Sequence, residues 1–125
     1  MQELTVVDDF LSTFFDKKDL HPCFVVAVNR ILLSNGTVRM EELVSLPVCV
    51  SQRQIERLFR AYVGLSPKKF SEIVQFKSSL DLLKNDNLAL SEVALMAGYF
   101  DQAHFINCFK KFAGISPERF LKYSA

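Results

Sequence analysis

A segment of twenty residues occurs twice in this chain: residues 51–70 read SQRQIERLFRAYVGLSPKKF, and residues 101–120 read DQAHFINCFKKFAGISPERF. Six positions are identical at an offset of 50, namely Gln52/Gln102, Phe59/Phe109, Gly64/Gly114, Ser66/Ser116, Pro67/Pro117 and Phe70/Phe120. Upstream of the repeat, an offset of 49 pairs Val44 with Val93 and Leu46 with Leu95. Two copies are too few for a solenoid, so the repeat predicts a duplicated helical unit.

Each copy carries the start and stop signals of a helix. Ser51 and Asp101 are favoured N-cap residues, and Gly64 and Gly114 stand where a left-handed C-cap is expected. Between these ends, apolar residues recur at i, i+3, i+4 and i+7, which predicts one buried stripe per helix. The stripes are Ile55, Leu58, Phe59 and Tyr62 in the first copy, and Phe105, Cys108, Phe109 and Phe112 in the second.

Further helices flank each copy. A short helix is expected before each, at about 41–47 and 91–97, and a Ser-Pro pair begins another helix after each. The helix that begins at Pro67 is long and runs to about Lys84, before the turn at residues 85–87. Two short helices joined by a tight turn form a helix-turn-helix.

The expected fold is therefore all-α and homeodomain-like, duplicated, with about seven to eight helices. We assign residues 20–66 to the first helix-turn-helix subdomain, 67–85 to a linker helix and 86–125 to the second subdomain. Residues 21–34 form a helix ahead of the first copy, which stops at the Asn-Gly turn of residues 35–36. Residues 1–19 contain an acidic amphipathic helix, over 3–16, that we interpret as the connection to an upstream domain.

Composition excludes several classes of protein. The chain has 125 residues, of which 50% are hydrophobic and 23% charged, as in a globular protein. No uncharged stretch is long enough to span a bilayer, and the N-terminus carries acids where a signal peptide needs bases. We therefore predict a soluble, cytoplasmic protein without a membrane partner.

The cysteines and histidines indicate neither a metal site nor catalysis. The three cysteines show no C-x-x-C spacing, and His21 and His104 stand far apart, so we expect no zinc, no disulfide framework and three reduced cysteines in or near the core. No Ser-His-Asp order, paired carboxylates or phosphate loop is present. Cys23 near His21 is the only pair that resembles a nucleophile with its base. We predict no enzyme activity and no cofactor.

Charge is divided unevenly along the chain. Residues 1–50 hold four basic and seven acidic residues, a net charge of −3. Residues 51–125 hold eleven basic and seven acidic residues, a net charge of +4. The bases cluster at 53–69 and 110–122. A positive surface on one part of a protein is what contact with phosphates requires.

The face opposite the first apolar stripe is basic. It carries Arg53, Glu56, Arg57 and Arg60, with Gln52 at the helix start. Arginine reads guanine through two hydrogen bonds, and glutamate accepts from cytosine. The alternative is a solvated charged face with internal Arg–Glu pairs, but three arginines against one acid leave positive charge uncompensated.

The face opposite the second stripe is mixed. It carries Ala103, Ile106, Asn107 and Lys110, with Gln102, His104 and Lys111 beside them. Amide side chains read adenine, and apolar ones contact the thymine methyl group. His104 has two open roles, in contact with a base or phosphate or packed at the helix edge. Phosphate contacts are expected from five further basic residues, namely Arg60, Lys68, Lys69, Lys110 and Lys111.

The segment ALMAGYFDQAHFINCFKKFAGISPERF, residues 94–120, resembles the C-terminal signature of the AraC/XylS family of bacterial transcription regulators. The match comprises Ala94, Gly98, Tyr99, Asp101, Phe105, Phe109, Lys110, Lys111, Gly114, Ser116 and Pro117. Residues 51–70 are similar to the family's first helix-turn-helix, and the resemblance covers about 21–122. It implies a two-headed DNA-binding domain that activates or represses promoters, in some members by contacting RNA polymerase and in some behind a sensor domain.

The resemblance also places the base-reading positions. In the first helix they fall on Arg53, Glu56 and Arg57, and in the second on Ala103, His104 and Asn107. The sequence departs from the family at three points. Cys49, preceded by Pro47, stands where the family prefers glycine in the turn, Gln75 stands where it usually has arginine, and Asn107 replaces a frequent arginine.

Two functions follow as hypotheses. The first is sequence-specific binding of double-stranded DNA, with two recognition helices in successive major grooves. A linker helix of about 18 residues gives roughly 27 Å of spacing against about 34 Å between grooves, so the DNA is expected to bend. The alternative is an all-helical protein-interaction module that has lost DNA reading, which the altered first turn and the modest net charge favour.

Overall fold

The computed structural model describes residues 19–85 and 87–124, and within them it is all-helical. The expected acidic helix over 3–16 lies outside these residues. The seven helices of the described part are α1 (Pro22–Leu33), α2 (Met40–Val44), α3 (Gln52–Tyr62), α4 (Pro67–Leu83), α5 (Leu90–Met96), α6 (Gln102–Ala113) and α7 (Pro117–Ser124). The prediction of an all-α fold with two helix-turn-helix units and a long helix between them is confirmed.

The described residues divide into two compact units, with the boundary between Ser71 and Glu72. The division falls inside α4, whereas the sequence assigned the whole of 67–85 to a separate linker. The first turn of α4 thus belongs to the first unit, and the rest of the helix belongs to the second.

The first unit is held by aromatic rings from three helices. The ring of Phe59 on α3 meets Phe24 of α1 at 5.0 Å and Phe70 of α4 at 5.6 Å, both edge to face. Phe24 also meets Tyr62 at 4.8 Å. Edge-to-face pairs at this spacing are favourable beyond the area they bury. The predicted stripe of α3 is the buried one, since Ile55, Leu58 and Phe59 are all inside.

The second unit has its own aromatic core. The ring of Phe109 on α6 meets Phe105 at 5.9 Å, Phe76 of α4 at 5.1 Å and Phe120 of α7 at 5.6 Å. Phe105 and Phe109 are fully buried, as the stripe predicted. α3 and α6 therefore each pack on the core of their own unit.

The predicted helix ends are confirmed. The side chain of Ser51 accepts from the backbone N–H of Gln54 at 3.1 Å, and that of Asp101 accepts from the N–H of His104 at 2.7 Å. Gly64 and Gly114 lie in the left-handed region, at φ 80° and 81°. Glycine adopts this conformation without the penalty that other residues incur, which ends both helices at a defined residue.

The upstream offset of 49 was wrong. Helices α2 and α5 begin at Met40 and Leu90, and Leu43 and Val93 are the buried residues three positions later, so the units match at an offset of 50. α2 is also shorter than expected. It ends at Val44, ahead of Pro47, because a proline disfavours helical backbone in the residue before it.

The two turns differ in conformation. Gly98 has φ 85°, whereas the first turn has no residue of positive φ in the part of the chain that is described. Cys49 and Tyr99 each lie two residues before an N-cap, and both are buried, at 8% and 6% exposure. Cys49 thus takes the place of the buried Tyr99 rather than that of Gly98, which corrects the expected correspondence.

The expectation of three reduced cysteines was wrong for two of them. Cys23 and Cys49 form a disulfide with a Cα–Cα distance of 4.9 Å, and Cys108 is free. The pair lies 26 residues apart in sequence and meets because the first turn of α1 packs beside the turn before α3. Spacing alone does not reveal such a contact.

Among the described residues, no cluster of three or more His, Cys, Asp or Glu side chains is arranged to hold a metal ion. None of the helices in this part of the chain has the length and apolar character needed to cross a membrane.

Candidate nucleic-acid interface

The exposed face of α3 carries the predicted row of polar and charged residues. Gln52, Arg53, Arg57 and Arg60 are exposed, and Glu56 is half-buried. The row is exposed because Ile55, Leu58 and Phe59, on the opposite side of the helix, are buried in the core. A single amphipathic helix thus fixes both the packing and the composition of the surface.

Positive charge on this face is not neutralised from within the described chain. Glu56 accepts a hydrogen bond from the Nε2 of Gln52 at 3.0 Å. None of the three arginines, Arg53, Arg57 and Arg60, forms an ion pair with an acid in residues 19–85 or 87–124. The alternative of a solvated face held by Arg–Glu pairs finds no such pair here.

The start of α3 is fixed by the side chain of its N-cap, Ser51, and by that of Gln54. The backbone N–H of Val50 donates to the Oε1 of Gln54 at 2.8 Å, while Gln54 donates its own N–H to Ser51. Such reciprocal bonds satisfy donors that a helix N-terminus leaves free. They hold the first residues of α3, where base contacts are made in a helix-turn-helix.

The exposed face of α6 is as predicted in composition. Gln102, Ala103, His104 and Asn107 are exposed, and Ile106 is half-buried rather than exposed. The face contains two amide side chains and no acid. Amides offer both a donor and an acceptor, which is the combination needed to read adenine.

His104 serves at the helix edge. Its Nδ1 accepts the backbone N–H of Phe100 at 3.2 Å, and its ring meets that of Tyr99 at 5.4 Å. The position matches Gln54 at the offset of 50, and the bond is the counterpart of the one from Val50. Nδ1 is thereby occupied, and Nε2 is the nitrogen left to contact another group.

The lysines differ in their surroundings. Lys68 and Lys110 are exposed, whereas Lys69 is half-buried. Lys111 lies 4.0 Å from the carboxylate of Glu72 and 5.9 Å from the centre of the Phe112 ring. Its ammonium group is partly committed within the second unit, so Lys110 is the freer cation of the adjacent pair.

Two exposed apolar residues precede the recognition helices. Val50 is 82% exposed and Phe100 is 91% exposed, and each stands one residue before an N-cap. Sequence reasoning missed them because it followed only the faces within the helices. The signal was present, since both are apolar and match at the offset of 50.

Gln75 connects α4 to the second turn. Its Nε2 donates to the carbonyl oxygen of Ala97, the C-cap of α5, at 3.0 Å. The arginine that the family usually has at this position would supply a structural ion pair or a phosphate contact. Gln75 makes a neutral contact instead, and it satisfies a carbonyl that the end of α5 leaves without a partner.

Burial raises the pKa values of two groups, Tyr99 just before α6 and Cys108 on that helix. Desolvation, followed by the influence of Cys108, raises the pKa of Tyr99 to about 12. The Ser79 hydroxyl opposes this shift, but it donates to the carbonyl of Phe76 at 2.6 Å, and no well-formed hydrogen bond reaches the Tyr99 hydroxyl in the described residues. Burial, with a smaller contribution from Glu72, raises the pKa of the Cys108 thiol, which stays protonated near neutral pH.

Curated regulators are similar in sequence to part of this chain. The HTH-type transcriptional regulator GbdR of Pseudomonas aeruginosa is 36% identical over 70 residues, which are 56% of this chain and 19% of that protein. The Msm operon regulatory protein of Streptococcus mutans is 27% identical over 120 residues, 94% of this chain and 43% of that protein. The chain thus spans less than half the length of either relative.

A solved structure shares the fold. A transcriptional regulator of Chromobacterium violaceum, described as having an AraC-type DNA-binding domain, superposes with a TM-score of 0.70 at 24% identity, covering 78% of this chain and 88% of that one. The family model that matches residues 47–123 is described as a helix-turn-helix domain. The chain therefore belongs to the AraC family of helix-turn-helix transcription regulators.

Proposed function

We propose that this chain binds double-stranded DNA at specific sequences and regulates transcription, with α3 and α6 as its two recognition helices in successive major grooves. The observation that carries the proposal is the exposed face of α3. None of its three arginines forms an ion pair with an acid among the described residues. A polyanion supplies the missing negative charge, and the grooves of DNA admit a helix of this kind.

Base reading is assigned to the first two turns of each helix. In the first unit, Arg53 and Arg57 suit guanine, and the linked pair of Gln52 and Glu56 presents an amide and a carboxylate to adenine or cytosine. In the second unit the reading set is Gln102, Ala103, His104 through Nε2, and Asn107.

Phosphate contacts are assigned to the basic residues at the edges of these faces. Arg60, Lys68 and Lys110 are exposed and reach solvent freely, whereas Lys69 and Lys111 carry local contacts that they retain or exchange on binding. Such contacts set affinity and its dependence on salt, and they do not report sequence.

Val50 and Phe100 extend the reading set. Large apolar side chains exposed at the entrance of a groove-binding helix lose their contact with water when they meet the methyl group of thymine. Capping bonds fix the backbone of both residues. We assign them apolar contacts with thymine or deoxyribose.

The wider role is an extension of the same proposal. We assign the chain a non-enzymatic role in the cytoplasm, where it acts on promoters together with RNA polymerase. As the resemblance to the AraC/XylS family implies for some members, we also propose that it acts together with an upstream sensor domain.

The proposal is tested by selecting binding sites from random duplex DNA with the purified chain. We expect an enriched motif of two blocks about one helical turn apart. One block alone would assign reading to a single unit. No enrichment at low salt, or equal enrichment by a variant in which Arg53, Arg57 and Arg60 are alanine, would contradict the proposal.

A further inference from the structure

The disulfide of the first unit lies directly before its recognition helix. Cys49 is two residues ahead of the N-cap Ser51, and Cys23 is the second residue of α1. The bond therefore closes the turn of the helix-turn-helix onto the start of α1. No other side chain of the turn makes a comparable link in the described residues.

The start of α1 is joined to α3 at further points. His21, the N-cap of α1, donates its backbone N–H to the hydroxyl of Tyr62 at 3.2 Å, and its ring nitrogen Nε2 lies 3.4 Å from the amide of Gln54. Gln54 in turn holds the backbone of Val50. The first turn of α1 and the first turn of α3 thus form one connected cluster, of which the disulfide is the covalent member.

The second unit has no counterpart of this bond. Tyr99 occupies the place of Cys49, and Cys108 is free and half-buried, with a thiol that stays protonated. The same fold therefore forms its second turn without a crosslink. The disulfide is an addition specific to the first unit rather than a requirement of the fold.

DNA is found in compartments where low-molecular-weight thiols keep most cysteines reduced. Disulfides that occur there are usually transient, catalytic or redox-sensing. A bond placed beside a helix that we assign to DNA reading fits the last of these groups.

We propose that Cys23 and Cys49 are a thiol–disulfide site, whose reaction partners are low-molecular-weight thiols of the glutathione class, and that its oxidised form holds the first recognition helix ready for DNA. The inference rests on the proposed function for its DNA-binding consequence, but not for the redox chemistry itself.

The chemistry is thiol–disulfide exchange. A glutathione thiolate attacks Sγ of Cys49, the less buried of the two residues at 8% exposure, and the sulfur of the fully buried Cys23 leaves as a thiolate and takes a proton. A second glutathione attacks the mixed disulfide, so that one protein disulfide and two thiols give two protein thiols and one glutathione disulfide. Two electrons pass to the protein, and the reverse reaction closes the bond.

Reduction releases the turn before α3 and leaves only the hydrogen bonds of the cluster to position it. The first turn of α3 then has to be ordered when DNA binds, and this ordering lowers affinity. We expect a loss on the order of tenfold, and a thermal midpoint for the first unit lower by about 10 °C.

The test equilibrates the purified chain in buffers of varied ratio of reduced to oxidised glutathione. Alkylation and mass spectrometry count the free thiols, thermal unfolding gives the midpoint, and fluorescence anisotropy gives affinity for a labelled duplex carrying the selected site. We expect all three readouts to change over one range of ratios. A Cys108→Ser variant should behave as wild type, and the double variant Cys23→Ala, Cys49→Ala should be insensitive to the buffer.

Several results would overturn the inference. They are a bond that stays closed in reduced glutathione, thiols that stay free in oxidised glutathione, and a titrating bond with no effect on affinity. If the chain binds DNA in none of the buffers, the proposed function fails. The redox site would still stand if the thiol counts and thermal midpoints change with the glutathione ratio, and it would be overturned as well if they do not change.

Discussion

Arg57 and Lys110 carry the same charge on exposed faces of the two recognition helices, but their side chains suit different contacts. The guanidinium of Arg57 is a planar fork that matches the edge of guanine, whereas the ammonium of Lys110 is a compact charge that suits a phosphate oxygen. Both are exposed, and neither forms an ion pair in the described residues. Equal charge at the two positions therefore does not mean an equal contribution to specificity.

We expect Arg57→Ala to lose about 1–3 kcal/mol of binding free energy and to relax the preference at one base pair. Lys110→Ala should weaken binding to all sequences alike and reduce the salt dependence by about one phosphate contact. Affinities for the selected duplex and its single-base variants, measured at several salt concentrations, check both. If the two variants lose affinity equally on every sequence, the assignment of roles is wrong.

Tyr99 gives a prediction about pH. Its pKa of about 12 in the folded chain lies above the ordinary value of 10.0, because burial favours the neutral phenol. The contribution of this group to the free energy of unfolding is fully present below pH ~10. That free energy then falls by up to ~3 kcal/mol as the pH rises from about 10 to about 12. Tyr99→Phe should remove that loss and change stability at pH 7 by less than about 1 kcal/mol. Parallel curves of unfolding free energy against pH for the two proteins would contradict this.

At the scale of single side chains, the sequence predicted exposure better than partners. The rows on α3 and α6 could be predicted because helical periodicity fixes which side faces the core. The disulfide of Cys23 and Cys49 could not, because it depends on which segments meet in space.

Helix ends are set by a few side chains in this fold, and most were readable in the sequence. Ser51, Asp101, Gly64 and Gly114 act on neighbours within four residues, so local chemistry identifies them. The short helices α2 and α5 were misaligned because five to seven residues give too little periodicity to fix a register.

The N-cap of α6 can be tested alone. Asp101→Ala removes the acceptor for the N–H of His104 and should lower the unfolding free energy of the second unit by about 1 kcal/mol. Asp101→Asn keeps an acceptor oxygen and should retain most of the stability. Urea denaturation of the three proteins gives the values, and an equal loss in both variants would mean that the carboxylate acts by charge instead.

The bond between α4 and α5 is a second test at this scale. Gln75→Leu keeps the bulk of the side chain but leaves the carbonyl of Ala97 without its donor. We expect a loss of about 1 kcal/mol in stability and faster amide exchange in the turn of residues 97–100. Gln75→Glu, which removes the donor and retains the shape, should give a similar loss. Unchanged exchange in both variants would show that the bond does not hold the turn.

Two separate aromatic cores support the molecule as a whole. Phe59 is central to one and Phe109 to the other, and both are fully buried. Contacts of this kind lie within a unit, so the two units are expected to respond separately to damage.

We expect Phe59→Ala and Phe109→Ala each to cost about 3–5 kcal/mol in the unit that holds the residue. Hydrogen exchange read residue by residue distinguishes the units. Protection should fall in α1 to α3 for the first variant and in α5 to α7 for the second. Loss of protection throughout the chain in either variant would mean that the units unfold as one.

Separate cores also bear on how such a regulator changes over generations. Substitutions that retarget α3 alter packing only around Phe59, and the unit built on Phe109 keeps its shape and its hold on DNA. Under the proposed function, a lineage can therefore change half of its operator while the other half keeps the protein at its promoter. Because the unit is duplicated, a change of operator can occur in two separate steps, and after each step one unit is unchanged.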